Sequence, residues 1–242
     1  MYKSKVLIGF VLLCYLLFIV FEFSGYADTA YCFQSLIVPL ITLMYWCFIE
    51  KKSKLFFGFL LFYSLSDLTS FFMFAFPFEE SQKLYDFEYY FGNLMYIFSY
   101  LFLAVKIGEF LNLRELIKYF GIHILALLVL GIYLVYVLQG LIEDKLLKES
   151  DYYFELVYNI VSIGLLPISL LNYLYSDNKK ALMLFVGALC IVFSEIIDVT
   201  HIYVIDFRVL NFLSATFTLV GFYLFYEQSK LNNTINRQHF KF

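Results

Sequence analysis

Apolar residues in this chain run in blocks rather than stripes. Eight blocks, at roughly 6–23, 30–49, 55–76, 87–105, 119–142, 152–175, 181–203 and 209–226, are separated by short polar links. A helix needs about 20 apolar residues, with a range of about 17 to 25, to cross the hydrocarbon core of a bilayer. The pattern therefore predicts an all-α integral membrane protein of about eight transmembrane helices. It predicts one polytopic domain over 1–242, with halves at about 1–111 and 112–229 and a tail over 230–242. The longest polar pieces are 106–118 and the stretch from Glu227 onward, too short for a second soluble domain. The first block has a rival reading: Lys3 and Lys5, an apolar core and Gly25-Tyr26-Ala27 also have the layout of a secretory signal. Its core is longer than the usual 7 to 15 residues of such a signal.

Composition narrows the class. The chain is 62% hydrophobic and 15% charged, with a mean hydropathy of +0.80, which excludes an ordinary soluble domain. Cys14, Cys32, Cys47 and Cys190 all lie in apolar blocks without close pairing, so neither a disulfide framework nor a zinc knuckle is expected. With the N-terminus cytoplasmic, the inner links and ends carry Lys3, Lys5, Lys51, Lys52, Lys54, Lys106, Arg114, Lys118, Lys179, Lys180, Lys230, Arg237 and Lys241. The outer links hold Lys83, Lys145, Lys148 and Arg208, a ratio of 13 to 4. The outer links are acidic instead, through Glu79, Glu80, Asp86, Glu88, Glu143, Asp144, Glu149, Asp151 and Glu155. Basic residues stay inside, so both termini are expected to be cytoplasmic.

An internal repeat emerges when the chain is laid on itself at an offset of 128 residues. Pro39 meets Pro167, Tyr45 meets Tyr173, Lys51-Lys52 meets Lys179-Lys180, Phe57 meets Phe185, Ser66 meets Ser194 and Asp67 meets Glu195. Four blocks separate the copies, so the expected arrangement is two parallel four-helix repeats about an axis along the membrane normal. The prolines are expected to bend the second and sixth spans.

The repeat draws attention to acids inside the blocks. A charge at membrane depth costs at least about 2.5 to 3.5 kcal/mol and normally faces protein or water, marking a site. Asp67 and Glu195 each lie 15 residues beyond a cytoplasmic lysine, or about 22 Å into the membrane. Asp198 and His201 follow Ser194 at helical spacing, about 5 and 9 Å further out than Glu195. If the axis brings the third and seventh spans together, Asp67 and Glu195 form a carboxylate pair with a path outward past His201. Neighbouring carboxylates in a low dielectric do not both ionise cheaply, so one serves as acid and the other as base. The plainer reading is that each acid accepts a hydrogen bond from a neighbour and ties the bundle together.

Further polar positions are candidates for the same cavity. Asn93, Tyr96 and Tyr100 follow i, i+3, i+7 in the fourth span, and Asn211, Ser214 and Thr218 do so in the eighth. Tyr63, one turn before Asp67, and Asn159 join them, though such residues are also common helix contacts in membranes. Metal-assisted hydrolysis is not expected, because His123 and His239 are remote in sequence and only His201 accompanies the acids. A metal on Glu195, Asp198 and His201 is the alternative. No mid-span lysine for a Schiff base, Gly-rich phosphate loop or nucleophile elbow occurs, so neither a cofactor nor a nucleic-acid partner is expected.

Two stretches carry a family resemblance. Gly58-Phe59-Leu60-Leu61-Phe62-Tyr63-Ser64-Leu65-Ser66-Asp67-Leu68 resembles the glycine-initiated Ser/Gly-Asp signature of the YhhN-type lysoplasmalogenases. Gly187-Ala188-Leu189-Cys190-Ile191-Val192-Phe193-Ser194-Glu195 resembles its second copy, with Glu where the family has Asp. Phe222-Tyr223-Leu224-Phe225-Tyr226-Glu227-Gln228 is similar to the family's closing Tyr-Tyr-x-x-Gln. The resemblance implies about eight spans and hydrolysis of the vinyl ether bond of a lysoplasmalogen, giving a fatty aldehyde and a glycerophospho-alcohol. The partners it implies are a lysophospholipid substrate and membrane lipids; the oligomeric state stays open. Together with the spacing, the resemblance makes Asp67, Glu195 and Asp198 the expected catalytic residues, with His201, Ser66, Ser194, Tyr63, Asn93, Tyr96, Asn211 and Tyr223 supporting them. Read from the residues alone, a proton-coupled transporter or a non-catalytic lipid-binding or sensor protein fits equally. The expected location is the cell membrane, the inner membrane if bacterial.

Overall fold

The computed structural model describes residues 2–75, 82–109, 111–145 and 148–231. Expectations that rest on Phe76, Glu79, Glu80, Arg237, His239 and Lys241 lie outside the described residues. The elements are α1 (Tyr2–Ser24), α2 (Ala27–Gln34), α3 (Ile37–Phe48), α4 (Lys54–Ala75), α5 (Gln82–Gly108), α6 (Leu113–Ile142), α7 (Glu149–Ser176), α8 (Lys179–Tyr203) and α9 (Arg208–Ser229). A 3₁₀ turn, Glu143–Lys145, follows α6. No strand occurs among the described residues. With α2 and α3 counted as one span, eight helices are long and apolar enough to cross a membrane. That is what a multi-pass membrane protein requires.

The helices begin and end where side-chain chemistry makes them. α1 stops in a Schellman motif: Gly25, at φ 88°, donates to the Glu22 carbonyl at 3.3 Å and Tyr26 to the Phe21 carbonyl at 3.0 Å. Phe21 and Tyr26 close the motif edge to face, with ring centroids 6.4 Å apart. Asp177, at φ 41°, ends α7, and the Asn178 side chain caps α8 by accepting from the Ala181 amide at 2.8 Å. The Asn112 side chain likewise accepts from the Arg114 amide at 3.2 Å. This cap starts α6 at Leu113, earlier than the apolar block suggests, so much of 106–118 is helical. A kink at Phe120 separates that first stretch from the rest of α6.

The second span breaks more sharply than a proline bend. α2 and α3 are separated at Ser35–Leu36, just ahead of Pro39, which has no amide to return to the Ser35 carbonyl. Pro167, by contrast, lies inside a continuous α7.

By contacts the chain forms two compact units, residues 1–102 and 103–242, with the boundary inside α5. In the first, α1 packs on α2 and α3, and α4 packs on α2 and α3. In the second, α8 packs on α6, α7 and α9, and α6 packs on α7. Close approach needs small residues. A Cβ on Gly58 would lie 2.6 Å from the Phe102 ring, and one on Gly187 would lie 2.6 Å from the Phe225 ring.

Candidate functional site

In the first unit, α4 presents Tyr63, Ser66 and Asp67 to α5. The Ser66 hydroxyl donates to the Gly92 carbonyl at 2.8 Å, and the Ser99 hydroxyl donates to the Phe59 carbonyl at 2.8 Å. These two bonds pin the helices at two levels. Between them the Tyr96 hydroxyl donates to Asp67 Oδ1 at 2.6 Å. Tyr63 stands edge to face against Tyr96, centroids 4.6 Å apart, and Tyr100 packs against both. Asp67 is thus a buried carboxylate held by a phenol in an aromatic cage. Thr42 on α3 and Ser64 on α4 share a hydrogen bond of 2.6 Å. Asn93 is half-buried one position beyond Gly92.

The second unit builds its acids differently. The Tyr158 hydroxyl on α7 donates to Glu195 Oε2 at 2.6 Å. Ser194 meets Ser214 on α9 through both hydroxyls, 2.8 Å apart, and meets the Thr218 hydroxyl at 2.6 Å. One turn on, the Asp198 side chain takes a hydrogen bond from Ser214 and lies near enough to Glu195 for the two charges to interact. Asn211 is fully buried on the same face of α9 as Ser214.

Two predicted positions are placed elsewhere. His201 is buried, but its Nδ1 accepts from the Phe207 amide at 3.3 Å and lies 3.9 Å from the exposed Asp206, so its ring braces the α8–α9 link. Tyr223 is 55% exposed on α9, whereas Phe222 and Tyr226 beside it are buried. Among the described residues no group of three or more His, Cys, Asp or Glu is arranged to hold a metal ion.

Several polar residues escaped the sequence reading. Tyr158 is one; with 22 tyrosines in the chain, nothing in its spacing singles it out. Glu88 and Glu155 count by sequence with the acids of the outer links, yet both lie within helices. Glu88 on α5 takes a hydrogen bond from Ser70 on α4. Glu155, 7% exposed, accepts from the Tyr203 hydroxyl at 3.3 Å. Close by, Asn159 Nδ2 donates to Gln139 Oε1 at 3.3 Å, and Gln139 Nε2 donates to the Tyr152 carbonyl at 3.0 Å. The signal was available: Glu155, Asn159, Ser162, Ser169, Asn172 and Ser176 follow a helical stripe along α7, and all are buried. At the C-terminal end of α8, Tyr203 also lines a cleft of about 410 Å³ with Lys145 and the link residues Val204, Ile205 and Asp206.

Compared with known protein families, with curated proteins and with solved structures, the chain matches none.

Proposed function

We propose that this chain is a membrane-embedded hydrolase resembling the lysoplasmalogenases, which cleaves the vinyl ether bond of a lysoplasmalogen with carboxylates as acid and base. The observation that carries the reading is the pair Glu195 and Asp198. They sit one turn apart on α8, interact with each other and draw their hydrogen bonds from unlike donors, a phenol and a serine hydroxyl. Unlike surroundings drive the proton affinities of two carboxyls apart, which is how one acid and one base arise at the same pH. Asp67 has a phenol donor of its own in the first unit.

The reaction needs one proton donor and one stabilising negative charge. A protonated carboxyl gives its proton to the vinyl carbon distal to the ether oxygen, and the π pair becomes the new C–H bond. The ether oxygen then shares its lone pair with the adjacent carbon, forming an oxocarbenium ion. An ionised carboxylate stabilises that cation and takes a proton from the water that adds to it. Collapse of the hemiacetal breaks the C–O bond: the carboxyl that took the water proton gives it to the leaving oxygen, the other carboxylate takes the hydroxyl proton, and a fatty aldehyde and a glycerophospho-alcohol are released. We assign the acid–base couple to Glu195 and Asp198, and carry Asp67 over from the family resemblance as a further catalytic carboxylate. Ser66, Ser194, Tyr63, Tyr96, Asn93 and Asn211 shape the surroundings.

The same proposal includes the finer architecture: two parallel four-helix repeats and cytoplasmic termini in a cell membrane. The excess of basic residues on one set of links supports the orientation. A serine that bonds the next helix, followed at once by an acid with a tyrosine donor, occurs in each unit and supports the repeat.

Aldehyde release by purified protein in detergent, with lysoplasmalogen against an ester lysolipid, tests the reading. Asp67→Asn and Glu195→Gln are each expected to lose about 10²- to 10⁴-fold in rate. Parent-like rates in both variants would end the carboxylate mechanism. A second reading, a proton-coupled transporter, draws on the break at Ser35–Leu36, because transporters build midplane sites at discontinuous helices. It takes over if the parent releases no aldehyde but acidifies the lumen of liposomes under a solute gradient.

A further inference from the structure

Away from the acids already described, the first unit buries two oxygens that no hydrogen bond satisfies: Glu22 Oε2 on α1 and Gln34 Oε1 on α2. Glu22 is only 4% exposed. An unsatisfied buried polar atom costs about 1 to 3 kcal/mol, and more if charged, so two in one packed pair of helices call for a ligand.

The helices bring these groups to one level. α1 and α2 are joined by Gly25 and Tyr26 alone and pack against each other. Side chains in a helix lean toward its N-terminus, so those of two antiparallel neighbours lean toward one another. Phe21 and Phe33 do so: their rings stack in parallel at 5.5 Å. Glu22 and Gln34 each follow one member of that stack, and a step of one residue along antiparallel helices turns both to the same side of the interface.

Both orphaned atoms are acceptors, so what is missing is a donor or a cation. Among the described residues, the helices packed on α1 and α2 bring no cation to this level. α2 and α3 carry no Lys, Arg or His. α1 carries only Lys3 and Lys5, toward its other end. The one basic residue of α4, Lys54, lies 20 residues before Phe74, or about 30 Å along the helix, and it is Phe74 that stacks on Tyr31 of α2. A third oxygen stands beside Gln34, the Ser35 carbonyl, which loses its helical donor to Pro39. α2 also ends at Gln34, so the negative end of its dipole points to the same place.

We propose that Glu22, Gln34 and the α2–α3 break form a binding site for a dehydrated alkali cation. The donor set is all oxygen and carries one negative charge, which suits a monovalent hard cation better than a divalent one. Broken membrane helices present carbonyls and half-helix C-termini to such ions. The inference does not depend on the hydrolase reading.

Thermal unfolding of the full chain in detergent, followed by the fluorescence of Trp46, tests it. Chloride is held constant while choline is replaced by sodium or by potassium. The parent is expected to gain about 2 to 4 °C in Tm, saturably, in one of the two alkali cations. Glu22→Gln is expected to lose that response while unfolding in choline no earlier than the parent, because its new amide N–H can serve Gln34. Gln34→Met, which removes one ligand oxygen and keeps the length, should require about tenfold more cation for the half-maximal shift. A parent indifferent to sodium and potassium overturns the proposal. If its Tm in choline rises instead as the pH falls, a proton on Glu22 fills the role. A response that persists in Glu22→Gln overturns it as well, placing the ion elsewhere.

Discussion

In α4 and α5 the hydroxyl of Ser66 is fixed on one carbonyl, that of Gly92, at 2.8 Å. In α8 and α9 Ser194 is shared among the Ser214 carbonyl at 3.1 Å, the Ser214 hydroxyl and the Thr218 hydroxyl. Four residues after each contact comes a telling exchange: Tyr96 on α5, Thr218 on α9. A tyrosine one turn beyond the serine contact is long enough to reach past Ser66 to Asp67, and it does. A threonine there stops at Ser194. Glu195 takes its phenol from the preceding helix instead, through Tyr158 on α7. The acid that follows the serine is turned by what its neighbours can reach, so the two acids sit in unlike pockets even though their sequence contexts match.

The largest structural difference between the regions is expected at the glycines. Gly58 faces Phe102, a half-buried ring, whereas Gly187 faces Phe225, which is fully buried and cannot swing aside. The Gly187 carbonyl would also lie 3.1 Å from a Cβ on Gly221, leaving α8 and α9 no slack. Gly187→Ala is expected to cost about 1 to 3 kcal/mol by overpacking, and Gly58→Ala less than about 1 kcal/mol. Unfolding in detergent with an increasing fraction of denaturing surfactant reads both. Equal costs would mean the ring contacts are not what holds the two pairs together.

The phenol donors come next. Tyr96→Phe and Tyr158→Phe each remove one hydrogen bond to an acid and should cost about 0.6 to 1.7 kcal/mol in stability. Those costs are expected to add, as independent bonds do to within about 0.5 kcal/mol. Rates decide a separate question. A double variant that releases aldehyde little more slowly than the worse single one would mean that Asp67 and Glu195 act as a unit. Rate effects that multiply instead would assign each acid its own task.

How far the sequence could be read depends on how local each feature is. The eight spans are legible because a crossing helix needs a long apolar run whatever its partners. The break in the second span is less so: Pro39 announces a disturbance, but the helix parts at Ser35–Leu36, where the carbonyl that proline abandons lies. Ser66, Asp67, Ser194 and Glu195 stand out as polar residues inside apolar runs. Tyr158 does not, since an amphipathic phenol is at home anywhere in such a helix and only tertiary packing selects the one that meets Glu195. Glu88 and Glu155 lie near the ends of their runs and count by sequence with the outer links, but each meets a neighbouring helix that sequence position alone does not reveal. The polar stripes of the fourth and eighth spans share a spacing, yet the contacts pair Gly92 with Ser214 as the carbonyls met by the two serines. That register is one helical turn away from the match of Asn93 with Asn211 suggested by spacing alone.

The smallest expected effect bears most directly on why the two serines differ. Ser194 has three oxygens within reach, so Thr218→Val removes one hydroxyl and leaves Ser214 to satisfy it. Valine has nearly the shape of threonine, and the loss should stay below the ~0.6 kcal/mol average of interhelical hydrogen bonds in membranes. Ser66→Ala, in contrast, removes the hydroxyl that the Gly92 carbonyl accepts from, and a buried acceptor left short costs about 1 kcal/mol or more. Measured side by side in the same detergent, Ser66→Ala should therefore be the worse of the two by at least about twofold in free energy. If Thr218→Val is the more damaging, Thr218 holds Ser194 rather than merely sharing it. The hydroxyl cluster of α8 and α9 would then be a single network in which Ser214, and through it Asp198, depends on Thr218.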